Sequence, residues 1–221
     1  DDAFIGLSYT IVGANLVDDT ESTWTVDVFA HLAEDCRLDA VAGDTNQDKM
    51  ISTTGSFYQN TFGGATSQAI NPALFGTFPD LRYDSFVTIG RTDQTDNAMA
   101  NIGINFSAFE AGGAIDSSDG SWYVTPVDGQ GNSNAFSNED CEDSNGVLVA
   151  RLTVRGASAS VYVEVLAEGV ARLLQLQPEV ALSDSLPMLL ADSNSSAGDT
   201  SAAKEMRSCA CEHGREGEWT R

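Results

Sequence analysis

The chain has 221 residues, of which 33 are acidic and 11 are basic, so its formal net charge is −22. This charge argues against nucleic acid as a partner, because phosphate contacts need clustered Lys and Arg, and it disfavours binding to an anionic membrane surface. Hydrophobic residues make up 42% of the chain, which is enough to form a core. Because the sequence lacks a run of about 18 apolar residues, it predicts no membrane span.

Alternation of apolar and polar residues with a period of two dominates the first three quarters of the chain and is typical of half-buried strands. In chain order, the predicted strands are 5–11, 24–30, 38–42, 86–89, 121–124, 147–154 and 161–165. The segments between them are rich in Gly, Asn, Asp and Ser, which favour turns. Many short strands with few helical stretches predict an all-β fold, a two-sheet β-sandwich of jelly-roll or immunoglobulin-like type.

The composition changes near Ala167, where leucines follow at roughly helical spacing and include Leu173 and Leu174. A second apolar patch at 186–190 contains Leu189, and a linker-like run follows it. We therefore place the β-sandwich domain at 1–166 and an extension at 167–221. The extension is either a flexible tail or docks its apolar patches on a neighbouring subunit.

The N-terminal run is the first candidate for a contact between copies of the chain. An edge strand leaves backbone hydrogen-bonding groups unpaired, and an extended segment of a neighbour can complete it. The residues expected to make this contact are Phe4, Ile5, Leu7, Tyr9 and Ile11, with Leu173, Leu174 and Leu189 as the second candidate surface. A head-to-tail contact does not close on itself and grows into a fibre. The alternative is that the run pairs within its own domain.

Cys36 and Cys141 are far apart in the sequence and are predicted to form a disulfide that closes a long loop, which contributes about 3–5 kcal/mol in the chain-entropy model. The alternative is two unpaired thiols. Cys209 and Cys211 are spaced too closely for a typical zinc site, so a disulfide is the more natural interpretation there.

Asp44, Asn46 and Asp48 form the D-x-N-x-D opening of a calcium loop. Lys49 stands where such a loop needs Gly, and Gly55 stands where it needs a bidentate Glu. Calcium is therefore the one cofactor that the sequence suggests, and a solvated acidic turn is the favoured alternative.

Two sequons occur, and they nominate Asn105 and Asn194 as attachment sites for glycans. A different glycan hypothesis is a sugar-binding face, which would need exposed aromatic residues on one side of the sandwich. The candidates are Trp24, Tyr58, Tyr83, Trp122 and Tyr123. Trp24 and one of Trp122 and Tyr123 stand at positions of the strand alternation that point inward, so we expect these two side chains in the core.

Catalytic motifs are missing from the sequence, since it contains neither G-x-S-x-G nor H-E-x-x-H. His31 extends a predicted strand, and we expect it at the strand edge. We therefore predict that the protein is not an enzyme.

The order of predicted strands resembles a secreted β-sandwich domain of bacterial surface proteins, and it is loosely similar to cohesin-like and carbohydrate-binding-module-like sandwiches. The stretches that carry this resemblance are 23–30, 38–44, 55–60, 69–72, 83–90, 121–126 and 146–154. The resemblance implies an extracellular, non-enzymatic role at the cell surface. The chain begins with Asp1 rather than Met, which is expected of a secreted chain after removal of its signal peptide, or of a fragment.

Together these patterns predict a structural subunit of an extracellular filament or surface assembly, which polymerises by strand addition between neighbouring subunits. Its partner would be a second copy of itself, with glycans as possible further ligands. The alternative is a monomeric carbohydrate-binding or cohesin-like adhesion module. Because copies of charge −22 repel one another, assembly needs apolar burial, counterions or the basic residues near Arg207 and Arg215 to offset that repulsion.

Overall fold

The computed structural model describes residues 4–33, 35–42, 49–138, 141–167 and 170–176. These residues form the strands β1 (Phe4–Ala14), β2 (Thr23–Leu32), β3 (Ala40–Ala42), β4 (Lys49–Thr53), β5 (Ser56–Phe57), β6 (Phe86–Val87), β7 (Ala100–Ile102), β8 (Ile115–Ser117), β9 (Ser121–Tyr123), β10 (Asn134–Asn138), β11 (Cys141–Arg155), β12 (Val161–Ala167) and β13 (Val170–Leu176). The helix α1 (Ser107–Glu110) has four residues. Short 3-10 helices lie at Ser67–Ala69, Pro72–Leu74, Pro79–Tyr83 and Gly129–Gly131. No helix in the described part of the chain has the length and apolar character that a bilayer span needs.

The strands form two antiparallel sheets, which confirms the predicted all-β, sandwich-like fold. In the first sheet the order is β1-β2-β11-β10, and β5 and β6 also pair with β11. In the second sheet the order is β7-β9-β3-β12-β4-β8, and β13 also pairs with β12. β1 and β13 lie next to each other, so the two sheets have neighbouring strands on one side of the sandwich.

The main core lies between the sheets and is built from the alternating residues that the sequence marks as inward. Trp24 is 2% exposed, as predicted, and Trp122 is the fully buried member of the Trp122 and Tyr123 pair. The Trp122 Nε1–H donates a hydrogen bond of 3.1 Å to the Thr88 carbonyl oxygen, so this indole is buried with its polar group satisfied. Burying each such side chain contributes about 2–3 kcal/mol to folding.

A second, smaller apolar cluster is formed by the segment 58–85, which carries three of the 3-10 helices, together with Phe86 of β6. Ile70, Leu81 and Phe86 are fully buried in it, and Leu74, Phe75 and Phe78 pack against them. β6 joins this cluster to the first sheet, since Phe86 lies opposite Arg151 in β11. The segment is therefore a part of the folded domain with its own apolar support.

The second sheet continues beyond residue 166, where the sequence placed the end of the domain. β12 and β13 pair from Val161–Leu176 to Ala167–Val170, with Leu173 opposite Glu164 and Leu174 opposite Val163. Leu176 is 4% exposed and belongs to the main core. The predicted boundary thus falls inside a strand pair, and the leucine spacing that resembled a helix belongs to a strand.

Candidate functional site: the edge of the first sheet

β1 forms an edge of the first sheet. It pairs with β2 in an antiparallel register that sets Leu7 opposite Ala30 and Ile11 opposite Val26. Among the described strands, β2 is the only pairing partner of β1, while β2 is paired on its other side with β11. Of the alternatives that the sequence left open, pairing of the N-terminal run within its own domain is thus the arrangement of the single chain.

Two irregularities limit the regular part of this edge. The register shifts between Phe4 and Gly6 and again between Ile11 and Gly13, so each end of β1 has one extra residue. Such bulges increase the local twist and interrupt pairing. The regular segment is Gly6–Ile11, and this is the length of edge that a further strand can follow.

The predicted contact residues differ in how far they are buried. Phe4 is 2% exposed and sits in the core, so it anchors β1 rather than offering itself to a neighbour. Leu7, Tyr9 and Ile11 pack against the core but remain half-buried. Leu7, Tyr9 and Ile11 therefore keep part of their apolar surface exposed.

On the other face of β1, a buried polar pair ties the edge strand to β2. Ser8 Oγ and His31 Nε2 share a hydrogen bond, and both residues are buried. Burial lowers the pKa of His31, because the charged imidazolium would lose its hydration. The prediction that His31 is a strand-edge side chain was wrong, since β2 is paired on both sides and His31 is buried.

The edge also lacks charge. No Asp, Glu, Lys or Arg occurs between Ala3 and Val17, although charged residues make up 20% of the chain. Natural edge strands are commonly protected by Lys or Pro, which discourage pairing with another chain, and β1 contains neither residue. Bulges also discourage edge pairing, so the part of β1 without such protection is the regular segment Gly6–Ile11 between its two bulges.

The opposite side of the first sheet, called the closed side below, is formed by three shorter strands of the chain. Along β11, pairing is shared by β10, β6 and β5. Behind β6, the fully buried Asp84 carboxylate accepts hydrogen bonds from the backbone N–H groups of Asn60 (2.7 Å), Gly64 (3.0 Å) and Ser85 (3.0 Å). Burial raises the pKa of Asp84 to about 7, although these donors oppose the shift.

The two arginines of β11, Arg151 and Arg155, each form an ion pair with an aspartate. Arg151 donates to both carboxylate oxygens of Asp27, each at 2.7 Å, and also to the Arg82 carbonyl oxygen at 3.0 Å. Arg155 donates to Asp19 at 2.8 Å, and its guanidinium lies over the Tyr58 ring. These groups hold the sheet and its covering segment together.

The predicted disulfide is not formed, since Cys36 is a free, half-buried thiol. The Cys36 carbonyl oxygen accepts a hydrogen bond from Ser133 N–H, at the start of β10. Cys141 begins β11 at the far end of that hairpin, where it pairs with Asn138, while Asn134 pairs with Gly146. Five residues of strand span roughly 16 Å, whereas bridged Cα atoms lie within about 7 Å.

Several predicted sites lie outside the described residues. These are the calcium-loop residues Asp44, Asn46 and Asp48, the sequon residue Asn194 and the assembly residue Leu189. Across the described ranges, no group of three or more His, Cys, Asp or Glu side chains is placed to hold a metal ion. Asn105 is exposed, and its Oδ1 accepts a hydrogen bond of 3.0 Å from Ser107 N–H.

The five aromatic residues proposed for a sugar-binding face do not share a surface. Trp24 and Trp122 belong to the core, and Tyr58 is buried. The sequence reasoning missed a different aromatic pair, in which Phe62 is 48% exposed and stacks on Phe78 with ring centroids 4.0 Å apart. It missed Asp84 and the Ser8–His31 pair as well, because their partners are distant in the sequence.

Comparison with known proteins adds no family to these observations: no family model, curated protein or solved structure matches the chain.

Proposed function

We propose that the chain is a structural subunit of an extracellular filament or surface assembly, in which neighbouring subunits are joined by strand addition. The observation that carries this proposal is the β1 edge, whose regular segment Gly6–Ile11 carries no charge and no Pro on a protein of net charge −22. The extracellular setting rests on the resemblance to secreted surface domains.

Electrostatics favours this edge as the place of contact. Two copies of an acidic protein repel each other over most of their surfaces, and the repulsion is smallest where neither copy carries charge. Leu7, Tyr9 and Ile11 add apolar surface that a neighbour would cover. Each backbone hydrogen bond formed with the neighbour contributes about 1 kcal/mol net.

The proposal predicts that charge on the edge abolishes assembly. In Leu7→Lys/Ile11→Lys, two ammonium groups would have to be desolvated for another strand to pair, so we expect monomers where the wild type forms oligomers or threads. Negative-stain imaging and size-exclusion chromatography of the full chain measure the outcome. Leu7 and Ile11 are both half-buried, so a melting curve must show that the double variant is folded. If the double variant unfolds, the single variant Ile11→Lys replaces it.

Ile102→Lys is the matched control, because Ile102 is 63% exposed and lies in β7, at an edge of the second sheet. This variant adds the same charge to a different edge and should assemble like the wild type. A wild type that stays monomeric at every concentration, or a folded double variant that still assembles, contradicts the proposal.

A second candidate function is a monomeric adhesion module that binds carbohydrate. The exposed Phe62 ring, held in place by Phe78, is the observation that favours it, because aromatic faces stack on the apolar faces of sugars. Phe62→Ala should then abolish retention on a polysaccharide column without changing the oligomeric state. Equal retention of the variant and the wild type excludes this candidate.

A further inference from the structure

We infer that the strand added at the edge is β1 of a second copy, which pairs antiparallel with β1 about a two-fold axis passing through Tyr9. The inference rests on the proposed strand addition and names its occupant and register. Because a two-fold contact closes on a pair of copies, a filament needs a second contact between such pairs. It joins the first sheets of two copies into one continuous sheet.

The sequence of the regular segment is self-complementary about Tyr9. In this register Leu7 lies opposite Ile11 of the second copy, and Ser8 lies opposite Thr10. Opposed residues in an antiparallel pair project from the same face. The half-buried apolar side chains of one copy therefore meet those of the other, and the hydroxyl side chains meet on the opposite face.

Neighbouring registers fit less well. A shift by one residue sets Leu7 opposite Thr10, so that the second copy turns its hydroxyl face towards the side on which the first copy has its core. A shift by two residues to an axis at Ser8 sets Ile11 opposite Ile5, which lies in the bulge at the start of β1. Only the axis at Tyr9 covers Leu7 and Ile11 within the regular segment.

The absence of proline also favours a second copy of β1 over the apolar patch at 186–190. The apolar patch at 186–190 contains Pro187, which has no backbone N–H to donate to a ladder. β1 has no Pro and no charge along its whole length. The β1 edge is thus the better partner for itself.

A charge-exchange experiment tests the register. In Leu7→Lys/Ile11→Glu, every Lys would face a Glu of the second copy, whereas in Leu7→Lys/Ile11→Lys every Lys would face a Lys. We expect the Lys/Glu variant to associate at least about tenfold more tightly than the Lys/Lys variant, since opposed charges favour pairing and like charges oppose it. Sedimentation equilibrium of the full chain at low salt measures both constants.

Equal association of the two variants, both folded by circular dichroism, overturns the inference. A second test places a photo-cross-linker at position 7 and mixes light with heavy isotope-labelled protein, so that links between copies can be recognised. Capture of a peptide from residues 177–190 also overturns the inference. The expected product joins position 7 of one isotope to positions 9–11 of the other. If threads form without this product, the inference is rejected and the proposed function stands. If cross-linked pairs form but never grow into larger assemblies, the inference is supported and the filament is rejected.

Discussion

The two sides of the first sheet are treated differently by the same chain. Beside β11, the chain supplies β10, β6 and β5, a second apolar cluster and a buried carboxylate. Beside β2, it supplies β1 and leaves the outer side of that strand without charge or proline. The β1 side is therefore the edge of the first sheet at which we propose the contact between copies.

The two sides also respond to pH in opposite directions. The pKa of Asp84 is raised by burial to about 7, so the folded state favours its neutral acid. Burial lowers the pKa of His31 from its ordinary 6.5, so the folded state favours its neutral imidazole. Rising pH therefore weakens the closed side, and falling pH weakens the β1 side.

The largest predicted effect is the pH dependence that Asp84 imposes on stability. The contribution of the protonated Asp84 to the unfolding free energy is complete below the unfolded pKa of 3.8 and is lost as pH rises through about 7. The loss in unfolding free energy is as much as about 4 kcal/mol. Asp84→Asn has no proton to lose at this site, so its unfolding free energy should lack this decline between about pH 4 and about pH 8. Urea denaturation of both proteins across that range gives the difference.

Asp96→Asn is the control for this experiment, because it removes a carboxylate from an exposed loop. Its stability should follow the wild-type curve. If Asp84→Asn runs parallel to the wild type instead, Asp84 is ionised in the folded protein throughout, and its three backbone donors outweigh its burial.

The next effect is steric and tests how tightly the closed side is packed. A Cβ on Gly63 would lie 1.8 Å from Asp84 Oδ2 and 2.8 Å from its Cγ. Gly63→Ala must push aside a carboxylate that backbone donors hold, so we expect a loss of about 3 kcal/mol in unfolding free energy.

Gly76→Ala, in the same segment, is the matched control, since its Cβ would have no neighbour within 4 Å. It should change the unfolding free energy by less than about 0.5 kcal/mol. Equal stability of the two variants in urea would mean that the segment yields easily and that the closed side is not rigid.

Sequence reasoning finds the parts of this molecule whose signal is local. The alternation in 5–11, 24–30 and 147–154 predicted three strands that the structure confirms, because one face of each is buried and the period of two records it. The inward phase of Trp24 was confirmed for the same reason.

What sequence reasoning missed depends on partners that are remote along the chain. The sequence around Asp84 does not predict that it is buried, because two of the backbone N–H groups that donate hydrogen bonds to it belong to Asn60 and Gly64, more than fifteen residues earlier. The leucines of β13 lie beside each other at 173 and 174, which masks the alternation of a strand. The edge position of β1 follows from the order of strands in the sheet, and that order has no local signature.

The smallest predicted effect concerns the open side, where Ser8 and His31 tie β1 to β2. Ser8→Ala removes this buried hydrogen bond at a cost of about 1 kcal/mol, which should speed hydrogen exchange of the β1 amides about fivefold. Thr10→Ala is the matched control on the same strand, because Thr10 Oγ1 makes no hydrogen bond to the described residues.

Lowering the pH below 6.5, the ordinary pKa of an unfolded His, should also speed hydrogen exchange of the β1 amides in the wild type, after correction for intrinsic rates. The reason is that burial holds the folded pKa of His31 below that value. If exchange in β1 is the same in Ser8→Ala and Thr10→Ala, the pair does not hold the edge, and the alignment of β1 for a neighbour rests on Phe4 and the backbone ladder alone.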